Sequence, residues 1–307
     1  MKPTLAGDLA AEQRAFLGRN RGAWGGHLAQ VRDFLGQGLT AADPSAPVLI
    51  LGAGSGLEVP WHMAPPGAVG WDADPWSRLR TLLRHRRWAP WVFQDLTGGL
   101  EALAALAWRT ARPPWSGRIR AGQAASRRLA GLVGSLDPQP EPLRAWIRRY
   151  RPGPILAANV MGQFGVVAQR TVERAFAGRP PWTADPDLPD PLDDAIRIWT
   201  AKAVRAWLGA LLESGADLWL VHDRGVLFGD QPVALGPMEK AWVAQLRAEG
   251  PLEASDPLCG VDPLDEIKNR TASQHLRWIW PVAPGQTHIM EALRIRPPEA
   301  FLSHNQD

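Results

Sequence analysis

One cysteine, Cys259, stands in 307 residues, which excludes an intramolecular disulfide framework and any cysteine-rich zinc site. Lysine is also scarce: Lys2, Lys202, Lys240 and Lys268 accompany thirty arginines. No stretch reaches the roughly 18 uninterrupted apolar residues of a membrane span. The N-terminus, Met1-Lys2-Pro3-Thr4-Leu5-Ala6-Gly7-Asp8, lacks an apolar signal core, so a cytoplasmic location is the expectation. There is no internal repeat and no metal constellation of useful spacing. Asp185, Asp187, Asp190, Asp193 and Asp194 are interrupted by three prolines and read as a solvated loop.

Hydrophobic residues make up 45% of the chain and charged residues 21%, ordinary globular usage and far from the signature of disorder. The chain is read as one domain over 1–307, with an N-terminal helical region at 1–46. Net charge is only +3, yet residues 76–151 hold fifteen Arg against Asp95, Glu101, Asp137 and Glu141, a local excess of +11. A basic surface there could attract nucleic acid or another anionic substrate. The same Arg-for-Lys skew, with abundant Ala, Gly, Pro and Trp, also follows from a GC-rich coding sequence.

Apolar residues at helical spacing over 9–39, including Phe16, Leu17, Trp24, Leu28, Val31, Phe34 and Leu35, predict a helical region. Pro47-Val48-Leu49-Ile50-Leu51 then forms a continuous apolar run, the pattern of a strand buried on both faces of a parallel sheet. Further strands are expected at 68–72, 91–95, 154–159 and 216–222, with helices at 75–87 and 192–212 between them. That alternation predicts a βαβ array of five parallel strands. Residues 275–282 and 287–295, joined by Ala283-Pro284-Gly285-Gln286, predict a closing β-hairpin. Two pieces exceed a minimal α/β unit: an Arg-rich insertion at 108–151 and a Pro/Asp-rich loop at 177–191. Both are candidates for substrate-facing structure.

The chemistry gathers at strand ends. Gly52-Ala53-Gly54-Ser55-Gly56-Leu57 follows the first strand directly, and glycines there let the backbone turn sharply beside a ligand. A dinucleotide fingerprint would place Gly or Ala where this chain has Leu57. Asp72 ends the second strand, where a carboxylate can accept both ribose hydroxyls. Asp74 suits the N-cap of the helix opening at Pro75. Asp95 ends the third strand and could accept from an adenine amino group with Leu96 against the ring, or could cap the next helix.

Residues 49–58, 70–74 and Gln94-Asp95-Leu96 resemble, in order and spacing, the three successive cofactor motifs of class I S-adenosylmethionine-dependent methyltransferases. The resemblance implies a doubly wound, mostly parallel seven-stranded α/β sheet with a terminal antiparallel hairpin, helices on both faces, plus the helical insertions. It implies S-adenosyl-L-methionine as cofactor, with Gly52, Gly54 and Gly56 at the methionine end, Asp72 at the ribose, and Asp95 with Leu96 at the adenine. It covers residues 47–159 well and the C-terminal half only through strand order.

Asn159-Val160-Met161-Gly162-Gln163 occupies the place of the family's fourth motif but lacks the Asn-Pro-Pro-aromatic signature of many amino-methylating nucleic-acid enzymes. That departure favours a small-molecule or peptide acceptor over DNA. Asn159 and Gln163 can position an acceptor by hydrogen bonding, though neither is a strong base. His222 and Asp223, at the expected end of the fifth strand, are the better-placed pair for proton removal. His62, His275 and His288 are weaker candidates, and Glu58 could approach the cofactor's amino end or face solvent. Three rivals stay open: a nicotinamide-dependent oxidoreductase, a non-catalytic binding module that keeps the fold, and a nucleic-acid methyltransferase using the basic segment.

Overall fold

A computed structural model describes residues 21–54, 56–111, 119–176, 191–229, 253–267 and 270–297. The Pro/Asp-rich loop lies outside these residues except for Pro191, as does the stretch before Arg21. Among the described residues eight strands form one sheet: β1 (Leu49–Leu51), β2 (Val69–Trp71), β3 (Trp91–Val92), β4 (Pro154–Ala158), β5 (Asp217–Phe228), β6 (Glu253–Ser255), β7 (Thr271–Ala283) and β8 (Gln286–Arg296). Their order is β3-β2-β1-β4-β5-β8-β7, with β6 beside the far end of β5. The first five strands are mutually parallel, while β8 pairs antiparallel with both β5 and β7. Setting aside the short β6, this is the seven-stranded sheet with a closing hairpin that the methyltransferase resemblance implies.

Period-2 alternation explains why the parallel strands read as unbroken apolar runs. Leu49 and Leu51 enter one core cluster and Val48 and Ile50 the other; Leu218 and Leu220 divide from Trp219 and Val221 in the same way. The helices on the first face are α3 (Leu100–Thr110), α4 (Ile119–Gly134), α5 (Glu141–Tyr150), α6 (Gln163–Phe176) and α7 (Pro191–Leu212). On the second face α1 (Gly25–Thr40) buries Val31, Phe34 and Leu35 against Trp219 and the hairpin. Two short α-helices, α2 (Ser77–His85) and α8 (Pro263–Glu266), and two 3-10 turns, Arg21–Trp24 and Trp61–Met63, complete the described elements.

Several expectations are corrected here. The first three strands are two or three residues long, shorter than their apolar runs: β1 begins only at Leu49, β2 is trimmed by one residue at each end, and β3 stops at Val92. Strand β5 runs on to Phe228, since β8 pairs with it from Leu218 to Phe228 and β6 takes the flank that β4 leaves. His222 and Asp223 therefore lie within a strand and not at its end. The 108–151 insertion is core structure in its described part: Leu129, Val133, Leu143 and Ile147 are buried, and α4 packs on α7. Its Arg residues are partly neutralised locally, as Arg144 pairs with Glu213 and Arg148 with Glu141. The hairpin turn is tighter than expected, with only Pro284 and Gly285 between paired Ala283 and Gln286. Gly285 takes φ +68, which suits Gly after Pro in a type II turn.

Candidate functional site

Strand order reverses between β1, which continues to β2 and β3, and β4, which continues to β5. Ligands of open α/β sheets sit outside the carboxyl ends of the strands at such a point. The turn after β1 lies there. Gly52, Gly54 and Gly56 all have positive φ, at 65°, 46° and 68°. Gly52 donates its N–H to the Trp71 carbonyl at 2.9 Å, and a Cβ built on it would stand 2.2 Å from Val160 Cγ2. Gly56 is held from behind by α2: the His85 ring bonds its carbonyl at 2.7 Å, and Thr81 Oγ1 lies 3.0 Å from a built Cβ. These two glycines answer to packing partners within the protein. Gly54 alone has room around it, with Asp72 Oδ2 3.9 Å from a built Cβ.

Asp72 joins that turn. Its Oδ2 accepts the Gly54 N–H at 2.7 Å and its Oδ1 accepts the Asp74 N–H at 2.8 Å. Each oxygen keeps a lone pair, so two adjacent hydroxyls could donate one to each. Burial pushes the Asp72 carboxyl above its ordinary value, against the lowering effect of the Asp74 and Gly54 N–H groups. Asp74 accepts the Trp76 N–H at 3.0 Å and pairs with Arg80, fixing the entry into α2 much as an N-cap does.

Asp95 and Leu96 are placed differently from the adenine contact implied for them. Asp95 accepts the N–H groups of Thr97, Gly99 and Leu100 at 2.8–3.0 Å and both oxygens meet the Thr97 hydroxyl. Its carboxylate is thus committed to opening α3. Leu96 is 9% exposed and belongs to the core under α3 and α4. The glycine turn and Asp72 come together in the fold, while Asp95 and Leu96 form the support of the next helix.

His222 is also placed otherwise than expected. It is fully buried, and its Nε2 meets Glu291 Oε2 at 3.0 Å. Glu291, itself without exposure, also binds His275 Nε2 at 2.7 Å and Arg277 Nε at 2.8 Å. Burial opposes the Glu291 charge, but hydrogen bonds from His222 and His275, with the charge of Arg277, outweigh it and hold the carboxyl far below its usual range. This cluster sits inside the hairpin sheet, so His222 is a structural partner and not a base open to an acceptor.

Its neighbour on the strand faces the other way. Asp223 Oδ1 bonds His288 Nδ1 at 2.9 Å, and Gln286 bonds the opposite ring nitrogen at 2.9 Å. Asp223 also approaches Gly162, directly before α6, together with Asn159. Asn159 follows β4 in a left-handed conformation, φ 49°, and donates its N–H to the Val221 carbonyl at 2.7 Å. Gln163 is the first residue of α6, its N–H bonded to the Val160 carbonyl at 3.1 Å. Because Val160 packs on Gly52, the Asn159 and Asp223 group adjoins the glycine turn.

One further group left little sign in the sequence. His27 Nε2 bonds Glu58 Oε1 at 3.2 Å, the Trp278 indole donates to His27 Nδ1 at 3.2 Å, and the His27 ring stacks on Trp280 at 3.7 Å. An indole donor at Nδ1 leaves the ring proton on Nε2, aimed at Glu58. Trp280 in turn lies 5.3 Å from the His288 ring and 4.6 Å from Trp24, which approaches edge-on. The signal available was the density of Trp and His in the hairpin strands, but their partner on α1 is some 250 residues away.

No protein-family model and no curated protein matches the chain. Among solved structures the chain is similar to the N-methyltransferase NodS from Bradyrhizobium japonicum WM9, crystallised with S-adenosyl-L-homocysteine, at 11% identity. The alignment covers 88% of this chain and 87% of that one, with a TM-score of 0.36. The fold assignment rests on strand order and direction. Among the described residues no helix is long and apolar enough to cross a membrane, and no group of three or more His, Cys, Asp or Glu could hold a metal ion.

Proposed function

We propose that the chain is an S-adenosylmethionine-dependent methyltransferase acting on a small-molecule or peptide acceptor. The observation that carries this reading is the joining of Asp72 to the Gly54 turn at the switch point of the sheet, with one lone pair left on each carboxylate oxygen. That pair of adjacent acceptors fits the vicinal hydroxyls of a ribose. The cofactor, when bound, supplies an electrophilic methyl group on a sulfonium. Asp72 orients the ribose, Gly54 leaves the backbone open beside it, and Glu58, held by His27, borders the same turn. Asp223, held by His288, keeps the acceptor-side role that the sequence offered to His222 and Asp223 as a pair. Positioning of this kind can account for much of the rate of a direct displacement.

Titration calorimetry with S-adenosylhomocysteine and NADH tests the reading. Saturable binding of the first alone is expected, and Asp72→Ala should weaken it at least about tenfold, since hydrogen bonds to a charged group contribute ~1.5–3 kcal/mol each. NADH binding would point instead to an oxidoreductase. Cofactor binding with no turnover across acceptors would point to a binding module.

A further inference from the structure

Helix α2 reverses the usual arrangement of a surface helix. Its buried residues are Ser77 and Thr81, while Leu79 and Leu83 are exposed. Ser77, Thr81 and His85 repeat at i, i+4 and i+8 and make the inward face. There the His85 ring bonds the Gly56 carbonyl at 2.7 Å, and Thr81 lies against the same glycine. Trp76, Leu79 and Leu83, at i, i+3 and i+7, share the opposite face and leave an apolar stripe in solvent. Trp88 stands just past the helix, with the Arg78 guanidinium 3.4 Å from its ring centre. Apolar side chains gathered in this way mark a surface that meets another body.

The charge beside the stripe has one sign. Residues 75–94 hold Arg78, Arg80, Arg84, Arg86 and Arg87 and no Asp or Glu. Arg80 pairs with Asp74, whereas Arg84 and Arg86 are exposed next to the apolar face. The complementary body therefore combines negative charge with apolar substance. Its shape follows from exposure: Leu83 is 72% and Trp88 64% exposed, so both project from the surface. A bilayer yields to projecting groups, whereas a folded partner must carry a matching cavity. A nucleic acid would engage the arginines and the aromatic faces but leave Leu79 and Leu83 in water.

We propose that the outward face of α2, with Trp88, docks on an anionic lipid bilayer. The leucines and tryptophans enter the boundary between headgroups and acyl chains, and the arginines face the lipid phosphates. The contact is peripheral. It does not depend on the methyl-transfer reading, because its side chains lie on the side of α2 turned away from the glycine turn.

The test is co-sedimentation of the full chain with vesicles of phosphatidylcholine, alone or mixed with an equal amount of phosphatidylglycerol. Partitioning onto the mixed vesicles should be at least about tenfold stronger than onto the neutral ones, and should weaken as salt is raised. Leu79→Ser combined with Leu83→Ser should lower it at least about tenfold. Arg84→Gln combined with Arg86→Gln should do the same at low salt. All four side chains are exposed, and circular dichroism with urea unfolding establishes that each variant is folded. Absence of binding to the mixed vesicles, equal binding to both kinds, or full binding by the folded leucine variant overturns the proposal. Oligonucleotide binding that the arginine variant loses and the leucine variant keeps, without vesicle binding, would replace the bilayer by a nucleic acid. A dimer that the leucine variant dissociates, again without vesicle binding, would replace it by a second copy of the chain.

Discussion

Glu291 holds its charge in a place with no solvent, and three side chains make that tolerable. Because its folded carboxyl lies below the ordinary value of 4.5, the cluster contributes stability above that pH and loses it as acid protonates the group in the folded state. Glu291→Gln removes the charge and leaves Arg277 without its ion-pair partner. The unfolding free energy from urea titration should fall by about 3–5 kcal/mol at neutral pH. The gap between variant and parent should persist into mild acid and close only below the ordinary carboxylate range. An unchanged midpoint at neutral pH would show that the ion cluster does not stabilise the fold.

The turn after β1 separates two reasons for glycine. At Gly52 a side chain meets both a left-handed backbone and Val160 Cγ2 at 2.2 Å; at Gly54 it meets the backbone penalty and only ordinary contacts, with Gly52 O at 3.6 Å and Asp72 Oδ2 at 3.9 Å. A left-handed non-glycine residue costs about 1–2 kcal/mol, and overpacking adds about 1–3 kcal/mol. Gly52→Ala should therefore destabilise more than Gly54→Ala in denaturant titration. Adding Val160→Ala to the first should recover the overpacking share and leave the backbone share. Equal losses for the two single variants would mean that the Val160 contact yields freely. The βαβ spacing was legible in the sequence, but this contact was not, since it depends on β4 lying against β1.

Across the whole molecule the hairpin is a structural necessity. β8 covers the flank of β5 from Leu218 to Phe228, and Trp278, Trp280, Met290 and Ala292 complete the core beneath α1. A chain ended at residue 269 would expose that flank and those apolar neighbours together. Such a chain should lose the cooperative unfolding transition and aggregate, as read by circular dichroism and light scattering. A soluble, cooperatively folded fragment would show the parallel half to be independent.

Local rules determined much of this protein from sequence alone. Unbroken apolar runs marked strands buried on both faces, glycines marked the turn after β1, and a Pro-Gly pair marked the hairpin; each depends only on neighbouring residues. Asp72 was legible for the same reason, as a carboxylate at a strand end beside that turn. Tertiary pairing decided the rest. How far β5 continues is set by β8, and that length moved His222 into a buried ion cluster and left Asp223 to His288. Asp95 had two readings in sequence, adenine contact or cap, and the path of the loop into α3 committed it to Thr97, Gly99 and Leu100. Motif spacing reports where a residue lies along the chain, while burial and partners depend on what the fold brings across from elsewhere.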